Sequence, residues 1–429
     1  MISATQGNLW SIGRVASALA MLILNTCFSA AAAQQAQRNP DRAASAAPMA
    51  IRVVTFNVED IRTEDLRDGS QPRVRQIAEV IQRLQPTVIL LNEIAYDQPG
   101  APGFRANEPP GQNGRRFVEN YLMTPQAEGL SALEYNVFMA PSNTGIPSGF
   151  DLNKDGRVVT EFPPPPGSGP NGEPGEQTDG GRAFGEDCWG FGTFPGQYAM
   201  ALLVDPRCEI LIDQVRTFRL LPWEYMPGAA LPQNPEGSGS WYSEEELKYF
   251  RLSSKSHWDV PVRMPNGSVV HFLCSHPTPP AFDGPERRNA RRNYDEIRFW
   301  ADYIEGAQWI VDDHGVSGPL ERGELFVILG DLNADPEKGT AYRNPMKELL
   351  FASRRLNPGP APVADIDIPG LSPTDTASWK RRVDYVLPSQ GITTTRSGVW
   401  RTPPPGAKGF PSDHFPVWAD LVVPPPPTR

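Results

Sequence analysis

The segment 326–334 (FVILGDLNA) joins an apolar run directly to a carboxylate and an amide. Its first four residues are typical of a buried strand, and Gly330 lets the backbone turn behind them. Asp331 and Asn333 stand two positions apart, so in extended geometry their side chains point to the same face. A carboxylate can accept a proton or hold a cation, and an amide can donate to an anionic oxygen. The segment therefore predicts chemistry on water and a phosphate. The alternative is a strand that runs into an ordinary Asp/Asn turn.

A second apolar strand, 51–58 (IRVVTFNV), carries Asn57 near its end. Apolar residues at helical spacing predict a helix over 72–84, and strand 87–91 (TVILL) then leads into Glu93. Strand, helix and strand within about forty residues is the spacing of a βαβ unit, whose two strands run parallel. Asn57 and Glu93 are therefore expected at the same edge of one sheet.

Further strands with polar ends follow in the rest of the chain. We predict strands at 197–204 paired with 209–220, 257–264 paired with 268–275 through the Asn266-Gly267 turn, 382–387, 391–400 and 417–423, with helices near 241–250, 285–305 and 346–351. The polar side chains at or beside these strands include His276, Asp384, Asp413 and His414. Each has an ordinary explanation alone, such as a cap, an ion pair or a turn, but their order and short contexts argue against coincidence.

The short motifs around these residues resemble the endonuclease/exonuclease/phosphatase superfamily, which includes DNase I-like and abasic-endonuclease members. The matching pieces, in the family's order, are TFNV at Asn57, LLNE at Glu93, SHP at His276, GDLN at Asp331 and Asn333, RVDYV at Asp384 and SDHFPV at Asp413 and His414. GDLN together with SDH is a specific pair, and the pieces span 51–420. The SSKSHWDVP and SHPTPPAFDGPE stretches resemble a secreted bacterial branch. The resemblance implies an α/β fold, a DNase I-like four-layer α/β/β/α sandwich of two mostly antiparallel sheets flanked by helices, which agrees with the predicted elements.

The resemblance implies that Glu93 binds a catalytic divalent ion, Mg²⁺ or Mn²⁺, with Asn57 beside it and Asp413 as a second metal contact. The chain departs from the family pattern in places. LLNE puts Asn92 where a glutamine is commoner, and Glu59 stands where some members carry a metal-binding aspartate. No tyrosine convincingly matches the catalytic tyrosine of the abasic-endonuclease branch, and the SHP context favours the DNase-like and phosphatase-like side.

The same resemblance gives the remaining residues roles in hydrolysis. Asp331 would orient and deprotonate the attacking water, Asn333 would hold the scissile phosphate, and His276 would hydrogen-bond its oxygens. Asp384 would orient His414, which as imidazolium would stabilise the charge that builds on the phosphate. A neighbouring carboxylate keeps an imidazole oriented and more readily protonated, so these roles are physically consistent. The implied reaction is in-line attack of water on a phosphate ester, with the metal neutralising phosphate oxygens.

The formal net charge of -10 bears on the substrate. A protein with a net negative charge is poorly suited to the electrostatic binding of nucleic acid, although metal ions and a local basic groove can offset the net charge. A small or lipid-linked phosphoester and non-specific nuclease activity both stay open. The alternative to an enzyme is a non-catalytic binding module that retains the fold, but none of Glu93, Asp331, Asp384 or His414 is missing. A zinc hydrolase is disfavoured, because the five histidines show neither HExxH spacing nor a short His/Cys pair.

The N-terminus has the features of an export signal. Arg14 supplies a positive charge, the largely apolar stretch 15–28 is short for a membrane span, and small residues follow at 29–33. We therefore predict a cleaved signal peptide at 1–33 and a secreted or periplasmic protein with no membrane span in its mature form. An uncleaved anchor is the alternative. Cleavage removes one cation and no acid, so the net charge becomes -11.

The mature chain is predicted to be a monomer with one large domain. The 47 prolines and 38 glycines cluster in the middle of the chain, which indicates long loops on one body. The predicted organisation is a flexible mature N-terminus at 34–48, a single domain at 49–424 with loops at 97–115, 141–187 and 222–240, and a tail at 425–429.

One of these loops contains a candidate structural calcium site. Asp151, Asn153 and Asp155 alternate as oxygen ligands do in a calcium loop, and a glycine follows them. Glu161 falls one place short of the usual closing position, and no helix pattern flanks the loop. A polar turn is the alternative.

Three cysteines remain after the predicted cleavage site. Cys188 and Cys208 flank one segment and would be able to pair in an oxidising compartment. Cys274 lies in a hydrophobic strand and is predicted to be a buried thiol.

Overall fold

The computed structural model describes residues 47–169 and 172–427. The predicted signal peptide at 1–33 and nearly all of the predicted flexible segment at 34–48 lie outside the described residues, as do the last two residues of the predicted tail. Among the described residues, no helix combines the length and the apolar character that crossing a bilayer requires.

The described strands are β1 Met49–Ile61, β2 Val88–Ile94, β3 Asn136–Phe138, β4 Met200–Val204, β5 Glu209–Ile210, β6 Arg216–Thr217, β7 His257–Arg263, β8 Val269–Ser275, β9 Leu325–Asp331, β10 Asp384–Pro388, β11 Thr393–Val399 and β12 Val417–Val423. The α-helices are α1 Pro72–Leu84, α2 Asn113–Phe117, α3 Asp179–Glu186, α4 Glu244–Leu247 and α5 Arg288–Glu305. Shorter helical turns, of 3-10 or π type, occupy Glu64–Leu66, Val118–Leu122, Ile212–Gln214, Trp223–Tyr225 and Met346–Leu350.

Two mixed sheets are formed, with strand orders β11-β12-β1-β2-β4-β3 and β10-β9-β8-β7-β5, and β6 pairs with β7 beside the second path. Each sheet contains one parallel pair, β1 with β2 and β8 with β9, and the other pairings are antiparallel. The predicted βαβ unit is therefore confirmed, because β1 and β2 run parallel on either side of α1.

Side-chain alternation along the strands produces the four layers. In β1, Val53 faces the second sheet whereas Val54 faces α1, as the two-residue period of a strand requires. Val53, Leu90 and Leu202 of the first sheet share one apolar cluster with Val260, Phe272 and Leu329 of the second. The helix α5 covers the outer face of the second sheet, where Ile297 and Trp300 pack in the same cluster as Leu273 and Ile328. The predicted α/β/β/α sandwich is the observed fold.

Most predicted elements are found, and two differences have clear causes. The predicted pairing of 197–204 with 209–220 is wrong, because β4 lies between β2 and β3 whereas β5 and β6 pair with β7 in the other sheet. All five residues of β4 are buried, so this strand needs cover on both faces. A turn in which Cys208 N–H donates to the Asp205 carbonyl then takes the chain towards the second sheet.

The pairing of Cys188 with Cys208, which the sequence left open, is not formed. Both are free buried thiols, as Cys274 is, and they have different surroundings. The Cys188 thiol donates to the Phe184 carbonyl, whereas Cys208 Sγ lies 3.8 Å from Met264 Sδ.

The candidate calcium loop forms a polar turn. The two carboxylate oxygens of Asp151 accept the backbone N–H groups of Asp155 and Gly156, at 3.1 and 2.9 Å. Asn153 donates its amide to Glu186 at 2.6 Å. Calcium binding there stays a prediction.

We predict that Gly330→Ala lowers the free energy of unfolding by about 2 kcal/mol or more, because a residue forced into positive φ is strained. Gly330 has φ +144°, and an added Cβ would lie 2.0 Å from the backbone oxygen of Ser275 at the end of β8. Denaturant titration measures the change. The control is Gly237→Ala, where a Cβ would meet no atom within 4 Å. Equal midpoints for Gly330→Ala and the parent would contradict the prediction.

Candidate active site

Strand direction brings the predicted functional residues to one rim of the sandwich. The parallel pairs β1/β2 and β8/β9 deliver their carboxyl ends together, and β10 runs antiparallel to β9 so that its first residue, Asp384, pairs with Asp331. The residues placed there are Asn57, Glu93, His276, Asp331, Asn333, Asp384, Asp413 and His414.

Asn57 links two carboxylates that come from different sheets. Its Nδ2 donates to Glu93 Oε1 at 2.9 Å and to Asp331 Oδ2 at 3.0 Å. Its Oδ1 accepts the backbone N–H of Glu59 at 3.0 Å, which fixes the orientation of the amide. The two carboxylates are thereby held close together, with Asn57 itself fully buried.

Asn92, the departure from the family pattern, makes a second connection between the sheets. Its Oδ1 accepts the backbone N–H of Asp331 at 3.3 Å and the hydroxyl of Thr55 at 3.2 Å. Its Nδ2 donates to the Ser275 carbonyl at 3.4 Å. The shorter amide therefore joins the ends of these strands through their backbone groups.

His276 lies against the same two carboxylates. Its Nε2 is 3.4 Å from Asp331 Oδ2 and 3.8 Å from Glu93 Oε1. Burial, together with the positive charge of Lys255, lowers the pKa of His276 to about 4. The ring is therefore neutral at pH 7, when it can accept at one nitrogen and donate at the other.

His414 is the second histidine near Asp331. Its Nδ1 donates to Asp384 Oδ2 at 3.0 Å, and its Nε2 lies 3.7 Å from Asp331 Oδ2. Burial alone would lower the pKa of His414, but the negative charges of Asp384 and Asp331 outweigh it and hold that pKa well above its ordinary value. His414 is therefore an imidazolium at neutral pH.

Two hydroxyl groups hold the backbone of Asp384 and of His414 in place. Thr376 Oγ1 accepts the backbone N–H of Asp384 at 3.1 Å. Ser412 donates to the Asn57 carbonyl at 2.7 Å and accepts the backbone N–H of His414 at 3.1 Å, which ties the loop before β12 to β1. Neither hydroxyl was predicted from the sequence, because serine and threonine beside a motif carry no distinguishing pattern.

The acidic side of the site fits a divalent cation. Glu93, His276 and Asp331 each offer a ligand atom within 4.8 Å of the others. Burial and then the negative charge of Asp413 raise the pKa of Glu93 to about 8, and the same two causes raise the pKa of Glu59. A bound cation would remove this repulsion between carboxylates, and oxygen donors suit Mg²⁺ and Mn²⁺.

Asp331 differs from these acids in its electrostatics. Burial would raise its pKa, but His414 and His276 outweigh burial and hold the pKa of Asp331 far below its ordinary range. One buried carboxylate is thus kept ionised while Glu93, close to it, is the group whose charge a cation would compensate.

Several residues of this rim hold unusual backbone conformations. Glu93 has φ 67°, Asn333 φ 52°, Glu59 φ 53° and Tyr198 φ 57°. Non-glycine residues rarely adopt positive φ, and such strain persists only where surrounding structure enforces it. The site therefore depends on the packing around it.

A cavity of about 480 Å³ opens onto the rim. Its lining includes Glu93, His276, Asp331, Asn333, Asp413 and His414 at the polar end, with apolar walls from Leu152, Phe191, Tyr242 and Phe250. Trp379 is 44% exposed, lines the cavity and places its ring 5.6 Å from that of His414. The cavity also contains Lys255, which the sequence analysis did not single out.

Comparison with known proteins agrees with this picture. The sequence model of the "Endonuclease/Exonuclease/phosphatase family" matches residues 54–414. No curated protein sequence matches the chain. 

Solved structures with similar folds are distant in sequence. An endonuclease/exonuclease/phosphatase from Beutenbergia cavernae is 18% identical with a TM-score of 0.47, covering 87% of this chain and 72% of that one. A family protein from Leptotrichia buccalis is 13% identical with a TM-score of 0.44, covering 86% and 98%. The catalytic domain of human Nocturnin, with bound sulfate, is 14% identical with a TM-score of 0.43, covering 89% and 98%.

The family match extends from β1 to the histidine before β12, and so includes every residue of the rim described above. The chain therefore belongs to the endonuclease/exonuclease/phosphatase family, whose members are phosphoesterases and nucleases.

Proposed function

We propose that the protein is a secreted, divalent-metal-dependent hydrolase that cleaves a small or lipid-linked phosphoester by in-line attack of water. The observation that carries the proposal is the position of Asp331, whose Oδ2 lies 3.0 Å from Asn57 Nδ2, 3.4 Å from His276 Nε2 and 3.7 Å from His414 Nε2. The secreted location rests on the predicted signal peptide at 1–33 alone.

The electrostatics of the site assign a step to each side chain. Asp331, ionised by its histidine neighbours, accepts a hydrogen bond from the attacking water and then its proton. The backbone N–H of Asn333 donates to Oδ1 of this same carboxylate at 2.9 Å, which keeps Asn333 next to Asp331. His414, kept protonated and oriented by Asp384, donates Nε2–H to a phosphate oxygen as negative charge builds there.

The acidic side of the site would hold the metal through Glu93, with Asn57 and Asp413 beside it. A divalent ion bound there supplies charge neutralisation for the phosphate oxygens. His276, neutral and buried, is positioned to hydrogen-bond a phosphate oxygen without adding charge to the site.

The cavity supports a small or lipid-linked ester over a nucleic acid. Pockets of roughly 300–1,000 Å³ are typical of small-molecule sites, and this one measures about 480 Å³. Its apolar walls suit an organic group attached to the phosphate. The net charge of -10 gives no general attraction for a polyanion.

We predict that Asp331→Asn reduces hydrolysis of bis-p-nitrophenyl phosphate by at least about 100-fold, since general-base catalysis contributes that much or more. The amide keeps an oxygen that can accept the Asn333 N–H but cannot take a proton from water. The control is Asp213→Asn, on an exposed turn. Full activity in a folded Asp331→Asn protein would refute the assignment of Asp331 as the general base.

Removal of divalent metal is expected to stop turnover, because the carboxylates around Glu93 would lose the cation that compensates their charge. The measurement is the hydrolysis rate after chelation and dialysis, followed by addition of Mg²⁺ or Mn²⁺, either of which should restore it. Undiminished turnover in metal-free buffer would exclude metal dependence.

A substrate panel tests the preference for small esters. DNA, RNA, bis-p-nitrophenyl phosphate, inositol phosphates and phospholipids are compared with and without added metal. We expect kcat/KM to be at least about tenfold higher for a small or lipid-linked ester than for either nucleic acid, because a polymer must leave most of its length outside the cavity. Fastest cleavage of DNA or RNA would favour the nuclease function instead.

A further inference from the structure

Lys255 is a buried cation in the wall of the catalytic cavity. It lies in the SSKSH segment directly before β7, and only 5% of the residue is exposed. Among the described residues, its ammonium makes one long hydrogen bond, to the Pro277 carbonyl at 3.4 Å, and no carboxylate oxygen lies within 4.0 Å. Buried lysines are normally paired, so this one lacks the partner that its burial calls for.

Neighbouring donors share this part of the wall. Asn333 Nδ2 donates to the same Pro277 carbonyl, at 3.1 Å, so it lies close to the ammonium. Thr278 also lines the cavity, and its buried hydroxyl has no hydrogen-bond partner among the described residues. We call Lys255, Thr278 and Asn333 the donor wall. Three donors with spare capacity on one cavity wall form a binding site for an anion.

The backbone around Lys255 is held in place by hydrogen bonds to other segments. The backbone carbonyl of Lys255 accepts the N–H of Asn143 at 3.0 Å. The preceding Ser254 donates its backbone N–H and its hydroxyl to Glu296 Oε1, at 2.7 and 3.0 Å. Glu296 also accepts the N–H of Thr278 at 2.6 Å, so one buried carboxylate anchors both flanks of the donor wall.

The electrostatics of Lys255 agree with an ammonium that lacks a directly bound anion. Burial lowers the pKa of Lys255 even though Glu296, Glu93 and Asp331 favour its charged form. An oxygen anion in the cavity would compensate the ammonium directly, whereas these carboxylates act from beyond contact distance.

We propose that Lys255 binds an anionic oxygen of the substrate phosphate, with Thr278 and Asn333 as the neighbouring donors of the same phosphate subsite. This inference rests on the proposed function, since it names the part of that site that holds the phosphate. It gives a role to Lys255, which lies in the SSKSHWDVP stretch and to which the sequence analysis assigned none.

The test measures binding of inorganic phosphate to the full chain by isothermal titration calorimetry at constant Mg²⁺, without any turnover. Lys255→Met removes the charge but keeps the length, and we expect phosphate to bind about 10- to 100-fold more weakly, as the loss of a charge-assisted hydrogen bond implies. Thr278→Val removes one hydroxyl at constant shape and is expected to weaken binding by a smaller factor. Lys248→Met, an exposed lysine beyond α4, is the matched control and should bind as the parent does.

Thermal unfolding separates binding from a structural role. Loss of an uncompensated buried charge should leave the Tm of Lys255→Met at or above that of the parent, whereas a structural lysine would lower it. If Lys255→Met unfolds below the assay temperature, Lys255→Gln and Thr278→Val carry the binding test.

Unchanged phosphate affinity in the lysine variants, or no phosphate binding by the parent, would overturn the proposal. The proposed function has a different point of failure. Phosphate binding that depends on Lys255 in a protein that hydrolyses no ester would uphold this inference and reject the hydrolase, whereas hydrolysis without that dependence would do the reverse.

Discussion

The amide of Asn57 holds two like-charged side chains, from separate sheets, within reach of a single nitrogen. Buried carboxylates repel each other, so placing Glu93 close to Asp331 would be unfavourable without such a hydrogen-bond donor. Asn92 repeats this connection through backbone groups of the opposite sheet. These hydrogen bonds therefore set the geometry of the site at the rim of two sheets that pack together through their apolar faces.

The surroundings of each ionisable side chain in the site determine whether that side chain is charged. Asp331 is stabilised as an anion by two imidazoles, whereas Glu93 faces further carboxylates. The two histidines differ in the same way, because Asp384 keeps His414 charged while burial keeps His276 neutral. Desolvation and the nearest charges thus give the two carboxyl groups different pKa values, and they do the same for the two imidazoles.

Strand ends were the most predictable part of the structure. An apolar run that stops at Glu93 or Asp331 has a strong local pattern, and the parallel β1/β2 pair follows from the length of the connection between them. The pairing of β4 was not predictable, because the two-residue strands β5 and β6 have almost no pattern of their own. The place of Lys255 in the cavity also depends on contacts between distant segments. Gly190 packs against Ser254, the residue before Lys255, so closely that a Cβ on Gly190 would lie 1.7 Å from the Ser254 carbonyl oxygen. Contacts of that kind join distant segments and leave no periodicity in the sequence.

The left-handed backbone at Glu93, Asn333, Glu59 and Tyr198 has a consequence for how this protein tolerates change. Each such residue costs of order 1–3 kcal/mol, which the rest of the sandwich must offset. Selection for thermostability alone would replace these residues with glycine, because glycine adopts positive φ without strain. A more stable variant of this kind would be expected to be a poorer catalyst. The geometry of the rim thus rests on backbone strain, and the folding stability of the sandwich limits how much of that strain the protein can hold.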